Sequence, residues 1–225
     1  MLNWQEFSTK EWVGFGVACY FSALIVLWII FKLIYRKRIA RPWDFIGYSS
    51  ILLLFWPFIE IFRNPGWRRK MLGRVGVKEG DVVLDEGFGM GTSSIVAARM
   101  VGPRGKVYAL DNEPMHVMIL WLRAKIRWLK NLKVFLSGAE STGLPDGSVD
   151  VVYISDAFHE FPKEHTLKEL HRVLKPGGIL AIWEEHEKKG VTQALKLATE
   201  QGLFSFVEQE KGFYKLRRGS IEKQT

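Results

Sequence analysis

Three glycines at alternate positions mark the segment whose residue types could do chemistry. Gly87, Gly89 and Gly91 follow the apolar run that begins at Val82, and Thr92 comes directly after them. Glycine permits a sharp turn and the close approach of a ligand that a Cβ would block. A helix N-terminus behind such a loop offers free N–H groups and partial positive charge to an anionic group. The pattern therefore predicts a ligand-binding loop between a strand and a helix.

Carboxylates flank this glycine loop. Asp85 and Glu86 precede it, and Asp111 lies twenty residues beyond Gly91, at the end of the next predicted strand. A carboxylate at that position can accept both hydrogen bonds from a ribose diol, although a strand-end or helix-capping role is the alternative. The dinucleotide fingerprint G-x-G-x-x-G would need glycine at position 92. Thr92 therefore disfavours an oxidoreductase.

The elements that must position these residues alternate between strand and helix from residue 81 onward. This alternation predicts an α/β fold with a doubly wound, Rossmann-like and mostly parallel seven-stranded sheet, an antiparallel C-terminal pair, and ligands beyond the carboxyl ends of the strands. The predicted strands are Val82–Asp85, Lys106–Asp111, Lys133–Leu136, Val149–Ser155, Gly178–Glu184, Phe204–Glu208 and Phe213–Leu216. The predicted helices are Thr92–Met100, Met115–Asn131, Lys163–Leu174 and Thr192–Gln201.

Four sequence blocks occur in order along this part of the chain. They are Val83–Gly91, Val107–Met115, Ala139–Glu140 with Leu144–Asp150, and His171–Gly178. Together they resemble the class I S-adenosylmethionine-dependent methyltransferases, in their small quinone-methyltransferase-like branch. The resemblance runs from about Arg69 to Arg218. Its most specific block is the last, which marks the turn into the fifth strand.

The resemblance implies S-adenosylmethionine as cofactor and a role for each matching residue. The residues implied at the methionine half of the cofactor are Asp85, Glu86, Gly87, Gly89 and Gly91. Asp111 would hold the ribose hydroxyls, with Asn112 and Met115 beside the adenine.

The resemblance also places a backbone segment at the adenine edge. The backbone of Gly138 and Ala139 would read that edge. An aspartate commonly precedes this alanine in the family, whereas this chain has glycine. The adenine amino group would then be bound by Glu140 or by backbone only.

The loop after the fourth strand lies where the resemblance places the transferred methyl group. Methyl transfer from a sulfonium demands in-line positioning and a nucleophile in the right protonation state. Asp156 or His159 could orient the acceptor or take its proton, and Asp156 would also border the cofactor. A structural loop histidine bonded to backbone is the alternative for His159.

No metal site is predicted. His159, Glu160 and His165 have the spacing H-E-x4-H, which differs from the zinc-binding H-E-x-x-H. The run Glu184–Glu187 is interpreted as a solvated strand end rather than a set of metal ligands.

The net charge of +8 is concentrated in the first third of the chain. Residues 1–80 carry 12 Lys/Arg and 5 Asp/Glu, against 20 and 19 in residues 81–225. Trp12 to Phe31 is an uncharged run of twenty residues, a helical length of about 30 Å that matches the bilayer core. Basic residues follow at Arg36–Arg41. We expect a transmembrane helix at about 12–35 with the N-terminus outside; a buried core helix is the alternative.

A second apolar segment, at about 43–62, is shorter and is flanked by tryptophans and basic residues. It predicts an interfacial or re-entrant helix, with a second full span as the alternative. The predicted organisation is a membrane anchor over residues 1–68 and a methyltransferase domain over residues 69–225.

These expectations combine into a membrane-anchored methyltransferase with its catalytic domain on the cytoplasmic side. Its expected partners are the bilayer and a lipid, isoprenoid or quinone acceptor. A protein methyltransferase and a catalytically inactive cofactor-binding membrane regulator are the alternatives. The near-neutral charge of residues 81–225 disfavours nucleic acid as a partner. The helix Met115–Asn131 turns from apolar to basic, so its outer face is expected either in solvent or on a lipid surface.

Overall fold

A computed structural model describes residues 65–185 and 188–220, together with Ser22, Ile25, Val26 and Ile29. The chain divides into two compact units, residues 1–63 and 64–225. In the first unit the four described residues are helical. Within the described parts of the chain, no helix is both long enough and apolar enough to cross a bilayer. Apart from those four residues, the predicted segments 12–35 and 43–62 lie outside the described residues.

The second unit alternates strands with helices, as the sequence predicts. Its strands are β1 Val82–Glu86, β2 Lys106–Asp111, β3 Leu132–Leu136, β4 Val149–Ser155, β5 Leu174–Trp183, β6 Phe204–Glu210 and β7 Phe213–Arg218. Its helices are α1 Pro65–Val75, α2 Thr92–Val101, α3 Pro114–Ile126, α4 Lys163–Val173 and α5 Lys188–Glu200. A short 3₁₀ turn, Phe158–Glu160, follows β4. Helix α1 was not predicted, and it lies across the expected domain boundary.

The seven strands form one sheet in the order β3-β2-β1-β4-β5-β7-β6. Strands β1 to β5 pair in parallel, and β7 pairs antiparallel with both β5 and β6. The predicted mostly parallel, Rossmann-like sheet with an antiparallel C-terminal pair is therefore confirmed. Because the parallel strands share one direction, the loops after β1, β2, β4 and β5 meet at one edge.

Alternate residues of each central strand supply the two faces of the sheet. In β1, Val83 packs with α1, α2 and α3, whereas Leu84 packs on the opposite face with α4 and α5. Strands buried on both faces have near-continuous apolar sequences, and β1 and β4 have sequences of this kind. The two cores hold the carboxyl ends of the strands rigidly in place.

Three element boundaries differ from the prediction by four or five residues, and the others by at most two. Helix α3 ends at Ile126 rather than at Asn131, because Trp128 adopts a left-handed backbone with φ of 55°. Strand β5 begins earlier, since Leu174 already pairs with Val149 before a register shift. Helix α5 begins at Lys188 rather than at Thr192.

Candidate cofactor and acceptor site

The predicted site residues meet at the carboxyl edge of the sheet. Glu86, the last residue of β1, is in register with Leu110 of β2 and Ile154 of β4. Ser155 of β4 is in turn in register with Trp183 of β5. The acidic residues at the ends of these strands therefore lie along the same edge of the sheet: Asp85 and Glu86 at the end of β1, Asp111 at the end of β2, Asp156 after β4 and Glu184 after β5.

The three glycines of the loop differ in what surrounds them. A Cβ on Gly87 would lie 2.7 Å from Ala157 Cβ, and one on Gly91 would lie 2.3 Å from Leu120 Cδ1. A Cβ on Gly89 would meet nothing within 4 Å. Gly87 and Gly91 therefore permit close packing of the protein on itself. Gly89 borders open space, where a ligand can approach the backbone.

Asp111 holds the glycine loop from the end of β2. Its Oδ2 accepts a hydrogen bond from Gly89 N–H at 2.9 Å and lies 3.1 Å from His116 Nδ1. Its Oδ1 accepts a hydrogen bond from Glu113 N–H at 2.9 Å. The side chain is 6% exposed. The capping role and the ligand-binding role, posed as alternatives by the sequence, are thus compatible, because each carboxylate oxygen can accept more than one bond.

Asp85 and Glu86 place two buried acids at the end of β1, with 2% and 1% exposure. Burial raises the pKa of Asp85 to about 6, although a hydrogen bond from Ser94 Oγ at 2.5 Å opposes the rise. Burial, reinforced by the negative charge of Asp111, raises the pKa of Glu86 well above its ordinary value. Within the described residues, Glu86 Oε2 has no hydrogen-bond partner. Such an acidic edge favours a cationic ligand.

Arg123 is a site residue that the sequence analysis misplaced. It belongs to the basic half of α3, yet it is only 2% exposed and donates a hydrogen bond to the carbonyl oxygen of Met90. Burial lowers its pKa to about 10. The signal was available in the sequence, since Arg123 lies three and four residues after the apolar Leu120 and Ile119 and so shares a helical face with them. Arg123 fixes the glycine loop from behind.

The start of α1 is a second feature that the sequence analysis missed. Arg68 Nη1 donates a hydrogen bond to Ser93 Oγ at 2.7 Å, beside the hydroxyl of Ser94 that bonds Asp85. Trp67 packs edge-on against Trp183 at the end of β5, with ring centroids 5.8 Å apart. Helix α1 therefore borders the site near the ends of β1 and β5.

The predicted adenine segment lies between β3 and β4. Ala139 is buried, at 3% exposure, and Glu140 is exposed. The segment is tied to α4 through Glu169, which accepts hydrogen bonds from Thr142 N–H at 2.8 Å and Thr142 Oγ1 at 2.6 Å. Burial favours a higher pKa for Glu169, but hydrogen bonds from Arg172 and Thr142 lower its pKa to about 2. Glu169 therefore holds this loop as a carboxylate.

Of the two other residues assigned to the adenine, Met115 is buried at 6% exposure. Asn112 is exposed at the edge of the site. Asn112 directly follows β2, whereas Met115 is the second residue of α3.

His159 and Glu184 form a hydrogen-bonded pair at the ends of β4 and β5. His159 Nδ1 lies 3.1 Å from both carboxylate oxygens of Glu184, and His159 N–H donates to Glu184 Oε2 at 3.1 Å. Glu184 is fully buried, at 0% exposure. Its interpretation as part of a solvated strand end is therefore wrong. The parallel pairing of β4 and β5 brings the two residues together across 25 positions of sequence.

Asp156 completes a cluster with this pair. It adopts a left-handed backbone with φ of 54°, and its Oδ1 accepts a hydrogen bond from Glu185 N–H at 3.0 Å. One ligand-type atom from each of Asp156, His159 and Glu184 lies within 4.8 Å of the others. Such a cluster could hold a divalent cation, a possibility that the sequence analysis did not predict.

Comparisons with known proteins agree with this geometry. A family model described as "Methyltransferase domain" matches residues 84–182. The demethylmenaquinone methyltransferase of Geobacillus stearothermophilus is 37% identical over 127 residues, which are 56% of this chain and 54% of that protein. The ubiquinone/menaquinone biosynthesis C-methyltransferase UbiE of Escherichia fergusonii is 36% identical over 120 residues, or 52% and 48% of the two chains. The chain thus spans about half the length of these curated relatives.

A solved structure covers more of the chain. The crystal structure of a SAM dependent methyltransferase from Aquifex aeolicus is 32% identical, with a TM-score of 0.59. The match covers 76% of this chain and 96% of that one. The chain belongs to the S-adenosylmethionine-dependent methyltransferases.

S-adenosylmethionine is the cofactor of this family, and the residues of the site fit it. Its sulfonium and ammonium groups are cationic, which suits the buried acids at the end of β1. Glu86 presents an oxygen without a partner among the described residues, and Gly89 leaves space beside the loop. Asp111 Oδ1 accepts one described hydrogen bond and so retains capacity for a hydroxyl.

Proposed function

We propose that this chain methylates a small aromatic or isoprenoid acceptor, with a quinol as the favoured class, at the cytosolic face of a membrane. The observation that carries the proposal is the His159–Glu184 pair, which lies on the same strand edge as the glycine loop. The names of the curated relatives, a demethylmenaquinone methyltransferase and a quinone-pathway C-methyltransferase, support this acceptor class. Acceptors of other chemistry are outcomes of the assay described below.

The cofactor, when bound, supplies a methyl group activated by the neighbouring sulfonium. A quinol or hydroxyl acceptor must lose a proton to become a strong nucleophile, and a nearby base accelerates that loss. His159 is suited to this role because Glu184 bonds its Nδ1, while its Nε2 lies 3.7 Å from the exposed side chain of Glu160. His159 would accept the proton that the acceptor loses as the methyl group is transferred.

Glu184 acts as a positioning residue in this scheme. A buried carboxylate at 3.1 Å from Nδ1 fixes both the orientation and the tautomer of the imidazole. Asp156, within the same cluster, is proposed to orient the acceptor.

The membrane part of the proposal rests on the N-terminal sequence. The uncharged run from Trp12 to Phe31 and the basic residues after it support an anchor with its N-terminus outside. Anchoring confines an enzyme to the surface that holds an apolar acceptor, which raises its effective concentration there. Protease protection of both termini in sealed vesicles tests the orientation, and cleavage of both termini from the same side would contradict it.

Product analysis tests the reaction. The purified full chain is incubated with methyl-labelled S-adenosylmethionine and a prenylated quinone, either oxidised or reduced with dithionite. We expect label in the organic phase, and more of it with the reduced acceptor because only the quinol carries an ionisable hydroxyl that makes the ring nucleophilic. Label confined to protein, or absent from every acceptor in a total lipid extract, would contradict the proposal.

Matched variants test the two residues of the pair. His159→Gln should lower kcat about 100-fold or more without changing cofactor affinity, whereas His165→Gln, at an exposed position of α4, should leave kcat unchanged. Glu184→Gln should lower kcat and alter the imidazole tautomer seen by ¹⁵N NMR. Glu200→Gln, on the exposed face of α5, is its control. Normal turnover by His159→Gln would remove this residue from the reaction.

A further inference from the structure

A group of large apolar side chains lies exposed on the C-terminal half of α3 and the neighbouring edge strand β3. Trp128 is 82% exposed and Ile126 is 65% exposed. The set, here called the tryptophan surface, consists of Trp121, Leu122, Ile126, Trp128 and Phe135. Contiguous exposed apolar side chains of this kind mark interaction sites.

Basic side chains interleave with the tryptophan surface. Residues 114–136 contain five Lys/Arg and no Asp/Glu. Arg123 is buried in the site described above, whereas Lys125, Lys130 and Lys133 are exposed. Lys125 Nζ lies 5.7 Å from the centre of the Trp121 ring. The surface is therefore both apolar and purely cationic.

The backbone presents Trp128 outward at an energetic cost. Its φ of 55° lies in the left-handed region, which bulky residues rarely adopt. The turn ends α3, with Trp128 N–H bonded to the carbonyl oxygen of Lys125 at 3.1 Å. An open groove of about 600 Å³ lies beside this turn and is lined by residues that include Trp121, Lys125, Trp128, Lys133 and Phe135. Backbone strain that holds a side chain at a surface is a pointer to function.

We propose that the tryptophan surface binds an anionic lipid bilayer. Tryptophan suits the headgroup region, aliphatic tips suit the acyl boundary, and lysine attracts anionic lipid. A symmetric interface between two copies would place the same cations against each other, so charge disfavours a second copy. The exposed aliphatic residues Leu122 and Ile126 offer no stacking or hydrogen bonding to a nucleic acid.

This proposal goes beyond the reaction, because contact with lipid here needs neither cofactor nor acceptor. It is also distinct from the N-terminal anchor, since it concerns a surface of the methyltransferase unit. Helix α3 begins beyond Asp111 and runs back along the sheet, so that Trp128 lines a groove with Gly105 and Lys106 at the start of β2. The tryptophan surface therefore extends toward the edge of the sheet opposite the glycine loop.

Spin labels at two matched positions test the proposal in the full chain. Leu122→Cys lies on the tryptophan surface and Leu197→Cys lies on α5; the native leucines are 51% and 50% exposed. Each is made in a Cys19→Ser background, which removes the only native cysteine. The protein is reconstituted in phosphatidylcholine vesicles, with or without phosphatidylglycerol. Collision rates of each nitroxide with oxygen and with a water-soluble nickel chelate are then measured.

We expect the label at position 122 to gain oxygen collisions and lose nickel collisions when phosphatidylglycerol is present. The label at position 197 should stay water-exposed. In the protein labelled at position 122, Lys130→Gln should lower the ratio of label in contact with lipid to label in water about fivefold. Lys196→Gln, on α5, should not change this ratio. Unchanged calorimetric affinity for S-adenosylmethionine establishes that the variants are folded.

Three outcomes would overturn the proposal. The two labels could respond alike, or position 122 could be shielded without vesicles by another part of the chain. Shielding that grows with protein concentration would instead assign the surface to a second copy. Methyl transfer to a water-soluble short-chain quinol is measured separately, so failure of the lipid contact is distinguishable from failure of the proposed reaction.

Discussion

Replacing Asp85 by Asn should stabilise the fold and weaken cofactor binding at the same time. Asp85 is 2% exposed, and burial raises its pKa from an ordinary 3.8 to about 6. Asn has nearly the same shape and can still accept the hydrogen bond from Ser94. The substitution therefore removes the cost of ionising a buried acid while keeping the local packing.

The magnitude follows from the pKa. A rise from 3.8 to about 6 corresponds to a cost of about 3 kcal/mol once the group is ionised in both folded and unfolded states. Because the folded-state pKa is the higher one, the cost is absent below pH 3.8, grows as the pH rises, and is complete above about pH 6. Allowing about 1 kcal/mol for a weaker bond to Ser94, Asp85→Asn should gain about 2 kcal/mol at pH 7.

Urea unfolding of the full chain at pH 4 and pH 7 measures this gain, and calorimetry measures cofactor affinity. The advantage of Asn over Asp should appear at pH 7 and vanish at pH 4. Asp81→Asn, in the turn before β1, is the control. A stability change that is the same at both pH values would refute the reasoning, as would undiminished cofactor affinity.

Further changes test the rest of the site. Gly91→Ala should destabilise the fold by about 1–3 kcal/mol, because the φ of Gly91 is 70° and a Cβ there would lie 2.3 Å from Leu120 Cδ1. Gly89→Ala should cost less stability, because Gly89 borders open space, and should mainly weaken cofactor binding. Glu86→Leu should raise the free energy of unfolding by about 1–3 kcal/mol but lower calorimetric cofactor affinity, since Glu86 Oε2 has no hydrogen-bond partner among the described residues and can bind the cofactor. EDTA should leave turnover unchanged because Glu184 already bonds His159; activity lost to EDTA and restored by Mn²⁺ would assign a cation there.

Most of the sheet could be predicted because its signals are local. Strand β4 has the predicted bounds, Val149–Ser155, since an apolar run and flanking turn residues define a buried strand by themselves. The glycine loop was also predictable, because its glycines interrupt that pattern at fixed spacing. Asp111 was placed correctly from its position at the end of β2.

The residues that escaped prediction depend on contacts between elements. Glu184 lies in an acidic run, a pattern typical of a solvent-exposed segment. It is buried beside His159 because β5 pairs with both β4 and β7. The end of α3 at Ile126 was missed for a related reason. The helical pattern continues past that residue, but the left-handed turn at Trp128 stops it.

The negative charge of the site explains why the demethylated product should bind less tightly than the cofactor. S-adenosylmethionine carries one net positive charge, whereas the demethylated product is neutral overall, so methyl transfer removes the sulfonium charge. Repulsion from Asp111 helps to raise the pKa of Glu86, and a cation relieves that repulsion whereas a neutral ligand does not. The same acidic edge that makes the empty fold less stable should therefore bind cofactor more tightly than product. This difference should shrink when Asp85 is replaced by Asn and when high salt screens the carboxylates.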